Sequence, residues 1–502
     1  MPCSGAMAEG GHPPPGPTEL RSAADPRIAA IGAAALVFAT SAAVLVLEIL
    51  AGRLVAPYVG VSLETYTGII GTVLAGIAVG TAAGGRLADR LDPRALLGPT
   101  VLAGGILAIA SVPVVTALGP AVAGGGPAAI ILLALTAFVL PTAVLSAVSP
   151  MVAKLRLASL TETGSVVGGL SAAGTAGALV GTFATGFVLV AALPSRPIVF
   201  GLGLGLVALG IGLTVRLGGA RPGRSTAVAF LVVAGLASVS PSPCERETAY
   251  YCATVEVDPD RPSGRVLVLD DLRHSYVDLE DPTYLDFRYI RLFAAVTDAV
   301  VDEGAIDVLH LGGGGFTFPR HLLATRAGTT NTVLELDPEI VELGEEELGL
   351  DVGPDLRIRT GDARTNITEE PTAAYDLAIG DAFGGLSVPW HLATVELVEE
   401  VARTLRPGGA YVVNAIDGGS RRFVKAELAT FGEVFDHLAL IAPPSGSFGN
   451  HVLVASDDPI DLDPVDPEDG MAITGDELSA FVGDAQVLRD DFAPVDQLVT
   501  RR

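Results

Sequence analysis

Long apolar stretches fill the first half of the chain, whereas short apolar runs that alternate with polar ones fill the second half. The long stretches lie at about residues 28–50, 66–84, 96–118, 127–149, 165–192 and 198–215, and a shorter one lies at about 225–240. A helix of about 20 apolar residues crosses the hydrocarbon core of a bilayer, so we predict a bundle of six or seven transmembrane helices over residues 27–242. The polar, proline-rich residues 1–26 are predicted to be a disordered leader.

The pattern after residue 243 predicts an α/β fold outside the membrane. We expect a β-rich region over residues 243–300, an α/β domain over 301–460 and an acidic C-terminal segment over 461–502. The strand candidates are Asp307–Leu311, Thr332–Leu336, Leu356–Arg359, Tyr375–Gly380 and Ala410–Asn414, with His437–Ile441 and His451–Ala455 as a later antiparallel pair. Because helix-length segments separate the first five strands, the sheet should be doubly wound and mostly parallel.

Charge divides the chain in the same way. Residues 1–240 contain 12 Lys and Arg against 8 Asp and Glu, whereas residues 241–502 contain 19 against 49, and the whole chain has a net charge of −26. A surface this negative repels phosphates, which argues against nucleic acid as a partner. It would instead attract a small cationic amine. Membrane lipid is the partner expected for the apolar half. The chain has only two lysines, Lys154 and Lys425; adaptation to high salt and a GC-rich genome explain this equally well.

The basic residues of the first half flank alternate apolar stretches. Ten of the 12 lie before the first stretch or in the even-numbered loops, and almost none lie in the other loops; the ten are Arg21, Arg27, Arg86, Arg90, Arg94, Lys154, Arg156, Arg216, Arg221 and Arg224. The positive-inside rule therefore places the N-terminus and the even-numbered loops in the cytoplasm. A seventh helix that crosses would put the acidic domain outside, whereas a segment that lies at the interface or re-enters would keep it inside. We predict the cytoplasmic side, because the chemistry inferred below uses intracellular substrates.

Two cysteines, Cys244 and Cys252, follow the last apolar stretch and bear on the same question. They could form a disulfide outside the cell or remain two free thiols inside it. We favour the free thiols, since a single pair of cysteines gives weak support for an oxidising compartment.

Three features of the membrane half have functional interpretations. Gly76, Gly80 and Gly84 put small residues on one helix face, where another backbone can approach closely. Glu48 lies near the end of the first stretch, where an ionisable residue is costly unless it is paired or lines a polar path. It could bind a cationic amine, or it could pair with Arg53. The six residues that follow Gly84 resemble the cytoplasmic signature of major facilitator transporters, although such transporters usually have more spans.

Distinctive residues follow four successive strand candidates, at the sheet edge where ligands bind in folds of this kind. After the first strand, the run Gly312-Gly313-Gly314-Gly315 lets backbone amides approach a ligand. Glu335 follows the second and can accept hydrogen bonds from both ribose hydroxyls, Asp362 and Ala363 follow the third and suit an adenine amino group, and Asp381 follows the fourth. Together they predict an adenosyl site; a dinucleotide site is the alternative, although the run lacks a clean G-x-G-x-x-G.

In order and spacing, these residues resemble the spermidine synthase (polyamine aminopropyltransferase) family, and more closely its membrane-fused branch, over residues 245–440. The matching pieces are Leu269–Ser275, Tyr289, Leu311–Arg320, Val333–Asp337, Gly361-Asp362 and Tyr375–Phe383. The resemblance implies a small N-terminal β-hairpin region before a class I methyltransferase-like sheet. It also implies transfer of an aminopropyl group from decarboxylated S-adenosylmethionine to a polyamine such as putrescine. A homo-oligomer is compatible with this interpretation.

The resemblance further implies roles for individual residues. The residues that would bind the cosubstrate are Gly312, Gly313, Gly314, Glu335, Asp362 and Ala363. His274 and Tyr289 occupy positions of the amine site, and Asp381 occupies that of the acid that accepts a proton from the attacking amine. The sulfonium of the cosubstrate is already a good leaving group, so we expect no metal and no permanently bound cofactor. The cosubstrate is expected to be decarboxylated S-adenosylmethionine or S-adenosylmethionine.

Three residues depart from the family pattern, and all of them lie in the amine half of the site. Gly315 and Gly384 stand where typical members have aspartates, and His274 replaces a glutamine. The adenosyl half is intact, so the departures leave the acceptor and the cosubstrate open. The alternatives are a methyltransferase that uses S-adenosylmethionine, and a non-catalytic domain that senses an adenosyl compound or a polyamine and regulates transport through the bundle.

Overall fold

The computed structural model describes residues 30–123, 125–157, 163–217, 223–443, 448–462 and 470–499. The predicted leader, residues 1–26, lies outside the described residues. In the described part, six helical segments are long and apolar enough to cross a membrane. They are α1 (Ala30–Val59), α2 (Leu63–Arg90), α3 (Pro93–Val122), α4 (Pro127–Ser146) continued by α5 (Val148–Arg156), α6 (Thr163–Ala184) continued by a π-helical turn (Thr185–Leu189) and α7 (Val190–Ala192), and α8 (Ser195–Arg216). A shorter apolar helix, α9 (Arg224–Val239), follows.

Small residues bring these helices into close contact, as the glycine spacing predicted. A Cβ atom on Gly84 of α2 would lie 2.5 Å from the carbonyl oxygen of Ala147, and one on Gly181 of α6 would lie 2.6 Å from that of Ala42. A larger residue at either position would therefore push two helices apart. Close packing of this kind stabilises a bundle in lipid, where no hydrophobic driving force acts between helices.

The soluble domain lies against one end of the bundle. Near the end of α1, Arg53 donates hydrogen bonds to Glu247 and to the carbonyl oxygens of Thr248 and Ala249. Ser195, the first residue of α8, also donates to Glu247. The end of α1 and the start of α8 therefore lie at the domain end of the bundle.

Apart from Arg53 and Arg196, which lie at the domain end, the basic residues of the described bundle lie at the opposite end. Lys154 near the end of α5 pairs with Asp89 near the end of α2 at 2.8 Å, and Arg216 ends α8, whose start contacts the domain. Helix α9 begins at Arg224 beside this basic end. These positions separate the positively charged helix ends from the acidic domain by the length of the bundle.

Helix α9 runs back from the basic end to the domain end. The residue after it, Ser240, accepts a hydrogen bond through its carbonyl oxygen from Arg196 at the start of α8. With 16 residues, α9 is about 24 Å long. The seventh segment therefore packs along α3 and returns the chain to the domain end of the bundle, as the alternative with a crossing seventh helix requires.

Cys244 and Cys252 form a disulfide, which corrects the expectation of two free thiols. Strand β1 (Arg246–Glu247) pairs antiparallel with β2 (Cys252–Val257), with Glu247 opposite Cys252. This short hairpin brings the Cα atoms of the two cysteines to 5.1 Å, a separation that a disulfide spans. The sequence left both alternatives open because the pairing depends on where the hairpin turns.

The described residues of the soluble domain form two sheets. The small antiparallel sheet contains β1, β2, β3 (Gly264–Leu269) and β4 (Leu272–Asp278) in that order, and it forms the expected β-hairpin region. The large sheet contains β5 (Asp307–Leu311), β6 (Thr330–Glu335), β7 (Leu356–Thr360), β8 (Tyr375–Gly380), β9 (Leu405–Asp417), β10 (His437–Ala442), β11 (Gly449–Ser456) and β12 (Met471–Thr474).

The large sheet has the strand order β12-β10-β11-β9-β8-β5-β6-β7. Strands β5 to β9 are parallel, whereas β10, β11 and β12 pair antiparallel, which confirms the mostly parallel sheet and its antiparallel addition. The helices of this domain are α10 (Arg288–Val300), α11 (Thr317–Thr325), α12 (Pro338–Glu347), α13 (Ala363–Asn366), α14 (Val395–Thr404), α15 (Arg422–Phe431), α16 (Gly475–Val482) and α17 (Val495–Leu498). The strand order reverses between β5 and β8, and ligands bind beside such a switch.

Candidate active site

The loop after β5 surrounds the carboxylate of Glu335, the last residue of β6. This carboxylate accepts hydrogen bonds from the amides of Gly313 (2.8 Å) and Gly314 (3.3 Å) through Oε2, and from the amide of Asp337 (3.0 Å) through Oε1. Burial raises the pKa of Glu335, and the three amides oppose that shift. Gly312 and Gly314 have φ angles of +97° and +50°, which glycine adopts without strain. The glycine loop therefore holds the predicted ribose-binding acid in a fixed position.

Asp362 and Ala363 lie where the chain leaves β7 and begins α13. One carboxylate oxygen of Asp362 caps this helix by accepting a hydrogen bond from the amide of Thr365 (3.2 Å), and the other lies 2.9 Å from Nε2 of His391. His391 comes from the segment after β8 and closes the cleft beside Asp362. Position in the sequence gave no sign of this contact, because His391 belongs to no strand end or motif.

Asp381 follows β8 and is held by side chains from two other elements. Its Oδ1 accepts a hydrogen bond from Asn414 of β9 (2.9 Å), and its Oδ2 accepts one from the hydroxyl of Tyr289 of α10 (3.1 Å). Asn450 of β11 donates to Asn414 (3.0 Å) and fixes its orientation. Burial raises the pKa of Asp381 to about 6, while both hydrogen bonds oppose that shift. A carboxylate with a pKa this near neutrality can take up and release a proton readily.

His274 and Ser275 of β4 lie against the glycine loop. Ser275 accepts a hydrogen bond from the amide of Gly315 (2.9 Å), and a Cβ atom on Gly315 would lie 2.7 Å from the Cβ of Ser275. No side chain therefore fits at position 315, which explains the glycine where the family pattern has an aspartate. Burial lowers the pKa of His274 to about 4, so its imidazole is neutral at pH 7.

Two depressions meet at His274 and Asp381. The first, hereafter the inner cleft, is lined by Gly312, Gly314, Glu335, Asp362, Ala363, His391 and Tyr251 among others. The second, hereafter the outer pocket, is lined by Arg273, Asp286, Arg288, Tyr289, Asn414 and Asn450 among others. The structure thus brings together every predicted site residue, with Gly313 contributing through its amide to Glu335.

The inner cleft encloses only about 90 Å³, whereas the outer pocket encloses about 360 Å³. Ligand sites typically measure about 300 Å³ or more, a size that the outer pocket reaches and the inner cleft does not. Phe383 lies in the wall of both depressions, and its carbonyl oxygen accepts a hydrogen bond from the hydroxyl of Tyr251 (3.3 Å). The segment that follows Asp381 therefore forms the wall between the two depressions.

Sequence reasoning missed Tyr251, Asn414 and His391 as site residues. A signal existed for Asn414, which ends a predicted strand at the sheet edge where ligands bind. Tyr251 lies in a hairpin whose turn the sequence did not locate. Across the described ranges, no group of three or more His, Cys, Asp or Glu side chains is placed to hold a metal ion.

The strand order, the glycine loop and the buried acid at the end of β6 define the class of the soluble half, a class I methyltransferase-like domain. The chain matches no model of a known protein family. It is 29% identical over 171 residues to a polyamine aminopropyltransferase of Vibrio vulnificus, covering 34% of this chain and 56% of that protein. It is 28% identical over 143 residues to a probable polyamine aminopropyl transferase of Bifidobacterium longum, covering 28% of this chain and 31% of that protein. The matched part of the chain thus spans about half the length of the Vibrio protein and about a third of the length of the Bifidobacterium protein.

A solved structure of a probable spermidine synthase from Corynebacterium glutamicum is 31% identical to the chain. The match covers 49% of this chain and 95% of that one, with a TM-score of 0.45. Identity at this level over nearly the whole of the Corynebacterium protein shows the relationship. The chain belongs to the spermidine synthase family, and its family domain follows a bundle of apolar helices.

Proposed function

We propose that the soluble domain transfers an aminopropyl group from decarboxylated S-adenosylmethionine to an amine such as putrescine. The observation that carries this proposal is the setting of Asp381, a carboxylate with a raised pKa at the meeting point of the inner cleft and the outer pocket. A cosubstrate in the cleft and an amine in the pocket would meet at this carboxylate. The names of the two aminopropyltransferase relatives support the same reaction.

In this proposal the inner cleft binds the cosubstrate. Glu335 accepts hydrogen bonds from the ribose hydroxyls, and the glycine loop keeps its carboxylate in place. Asp362 and Ala363 contact the adenine. The neutral His274 lies between the cleft and the outer pocket, where an imidazolium would repel the positively charged sulfonium.

The outer pocket positions the acceptor amine for attack. Asp381 takes a proton from the ammonium group, which frees the lone pair of the nitrogen. The nitrogen attacks the aminopropyl carbon bound to the sulfonium, a carbon–nitrogen bond forms as the carbon–sulfur bond breaks, and the electron pair of the broken bond neutralises the sulfur. The products are the aminopropylated amine and methylthioadenosine, and the proton on Asp381 passes to water. Tyr289 and Asn414 hold the carboxylate in the orientation that this step needs.

Methyl transfer from S-adenosylmethionine is a second candidate, and Gly315 favours it. No side chain fits at that position, so the site lacks an acid that, in the family pattern, contacts the aminopropyl amine. Gly384 removes a second acid from the same half of the site. A site with fewer acids discriminates less against the carboxylate of S-adenosylmethionine.

Calorimetric titration of the full-length protein separates these candidates. Decarboxylated S-adenosylmethionine, S-adenosylmethionine and methylthioadenosine are titrated in parallel. We expect the decarboxylated compound to bind at least about tenfold more tightly than S-adenosylmethionine, because the carboxylate of the latter would lie near Asp381. Tighter binding of S-adenosylmethionine would support the methyltransferase, and binding of none would contradict both enzymes and favour a non-catalytic domain.

We further propose that the soluble domain faces the outside of the cell, in place of the cytoplasmic side expected from its substrates. Three observations support this placement. The domain contacts the end of the bundle opposite the basic helix ends, α9 returns the chain to that end, and Cys244 and Cys252 form a disulfide. Basic helix ends favour the cytoplasm, and disulfides persist in oxidising compartments. The cosubstrate would then have to be supplied outside.

Labelling of cysteines in intact cells tests this placement. An impermeant maleimide should label Cys244 and Cys252 only after an impermeant reductant has opened their disulfide. Cys3, in the N-terminal leader, is an internal control that should be labelled only after the cells are permeabilised. Labelling of Cys244 and Cys252 that requires permeabilised cells would contradict the external placement.

A further inference from the structure

A third cavity, hereafter the junction cavity, lies where the soluble domain meets the bundle. It measures about 400 Å³, within the range of small-molecule sites. Its walls come from α1, the start of α2, the π-helical turn and the hairpin of β1 and β2. The lining residues that matter below are Glu48, Tyr66, Ile70, Gly186, Tyr251 and Asp270.

One wall of the junction cavity belongs to the lipid-facing surface of the bundle. Tyr66 and Ile70 of α2 are 51% and 46% exposed, and exposed apolar surface on a membrane helix contacts lipid. Gly186 is also exposed, with no atom within 4 Å of the position that a Cβ would occupy. It lies in the π-helical turn, a distortion that often marks functional sites. An apolar molecule can therefore reach the cavity from the bilayer.

Glu48 places a carboxylate in the wall of the junction cavity, within the membrane-spanning part of α1. It lies 11 residues before the end of α1 at Val59, which is about 16 Å along the helix. A carboxylate at such depth is costly without a partner. Arg53 does not supply one, because its guanidinium binds Glu247 and Ser195. Among the residues that the structure describes, none forms a hydrogen bond or an ion pair with Glu48, so the interpretation that it pairs with Arg53 is wrong.

The junction cavity adjoins both parts of the active site. Tyr251 lines the junction cavity and also the inner cleft. Val61, another residue of the junction cavity, touches the segment that lines the outer pocket, since a Cβ atom on Gly385 would lie 2.9 Å from the carbonyl oxygen of Val61. Asp270 adds a second carboxyl group at this end, and burial raises its pKa to about 6. A ligand in the junction cavity thus lies within one side chain of the reaction site.

The geometry points to the junction cavity as a binding site for an amine that carries an apolar chain and enters from the bilayer. Its ammonium group binds Glu48, which gains the counter-ion that it lacks, and its chain lies against Tyr66 and Ile70. A short polyamine would bury too little apolar surface to bind well, and a neutral lipid would leave the carboxylate unpaired. The site is independent of aminopropyl transfer, because the bundle and the hairpin form it without the catalytic residues.

Equilibrium binding of dodecylamine to the full-length protein in lipid nanodiscs tests this inference. Dodecanol keeps the chain without the charge, and butylamine keeps the charge with a short chain. We expect saturable binding of dodecylamine, with dissociation constants at least about tenfold weaker for the two other probes. Empty nanodiscs measure the partition of each probe into lipid, and no adenosyl compound is present, so the result does not depend on the proposed reaction.

Two variants separate charge from shape. Glu48→Gln keeps the volume of the side chain and should weaken dodecylamine binding at least about tenfold, whereas Glu64→Gln, at an exposed acid in the first turn of α2, should leave it unchanged. Gly186→Leu fills open space at the mouth of the cavity and should weaken binding about threefold or more. An unchanged thermal unfolding midpoint shows that each variant is folded.

Binding of dodecylamine that survives Glu48→Gln would overturn the inference, and so would equally tight binding of dodecanol or butylamine. A folded Gly186→Leu variant that binds dodecylamine as tightly as the unchanged protein would also contradict entry from the lipid side.

Discussion

The candidate active site has two halves, one that we propose binds the cosubstrate and one that we propose binds the acceptor, and they are built in different ways. In the cosubstrate half, Glu335 accepts hydrogen bonds from two backbone amides of the glycine loop and from the backbone amide of Asp337. In the acceptor half, Asp381 is held by the side chains of Tyr289 and Asn414, which lie 92 and 33 residues away in the sequence. Backbone donors remain when side chains change, whereas convergent side chains can be replaced one at a time. The acceptor half therefore depends on distant residues that can change independently, whereas the cosubstrate half depends mainly on one local segment.

The largest effect is expected at Asp381, in the acceptor half. Asp381→Asn removes the proton acceptor and keeps the size of the side chain, so turnover should fall about 10²–10⁴-fold. Affinity for the cosubstrate, which rests on the other half, should change less than about threefold. Release of methylthioadenosine measures turnover, and Asp351→Asn, at an exposed acid, is the control. Turnover that stays within about threefold of the unchanged protein would remove Asp381 from the role of base.

A smaller effect is expected in the cosubstrate half, at Glu335. Glu335→Gln replaces a charged acceptor by a neutral one, so affinity for decarboxylated S-adenosylmethionine should fall by about 2–3 kcal/mol of binding free energy. Calorimetric titration measures it, with Glu345→Gln at an exposed position as the control. Unchanged affinity together with lost turnover would show that Glu335 acts on the acceptor and not on the cosubstrate. It would contradict the proposed division of the site into two halves.

Position 315 tests whether the acceptor half can be returned to the family pattern. Gly315→Asp would bring a Cβ atom to 2.7 Å from that of Ser275, and overpacking of this kind should lower the free energy of unfolding by about 1–3 kcal/mol. Adding Ser275→Gly should restore much of that loss. Thermal unfolding of the purified protein measures both variants. A single variant as stable as the unchanged protein would show that the small sheet can retreat from the glycine loop.

The smallest effect is expected at Asn414, which positions Asp381. Asn414→Ala removes a hydrogen bond that favours the ionised carboxylate. The variant should therefore lose about 1 kcal/mol of hydrogen-bond stabilisation of the ionised carboxylate, and the pKa of Asp381 should rise further. Only the ionised carboxylate accepts a proton. Activity should therefore be present at pH values above the Asp381 pKa of about 6, and it should fall as the pH drops through that value. The variant should lose activity at a higher pH. An acid limb of kcat/KM that does not move would show that Asp381 does not control it.

The large sheet and the cosubstrate half could be predicted from the sequence because their signals are local. The predicted strands Asp307–Leu311 and Tyr375–Gly380 coincide with β5 and β8, since short apolar runs with polar or glycine boundaries are typical of buried parallel strands. Glu335 lies at the carboxyl end of one strand and the glycine loop follows the next strand of the sheet, so they meet at one edge. A correct order of strands was enough to place them together.

The remaining features depend on contacts that a local pattern does not contain. His391 approaches Asp362 across 29 residues, and Ser275 reaches Gly315 across 40. A 16-residue apolar helix such as α9 is compatible with a short crossing or an interfacial position. The disulfide required the turn of the β1–β2 hairpin, and the partner of Arg53 proved to be Glu247, from the soluble domain.

Product analysis tests most directly whether the two halves act together in aminopropyl transfer. The full-length protein is incubated with decarboxylated S-adenosylmethionine and putrescine, and in parallel with S-adenosylmethionine and putrescine, and the products are identified by mass spectrometry. We expect methylthioadenosine and aminopropylated putrescine in equal amounts from the first mixture, and neither product from the Asp381→Asn variant. S-adenosylhomocysteine from the second mixture, with no methylthioadenosine from the first, would contradict this account.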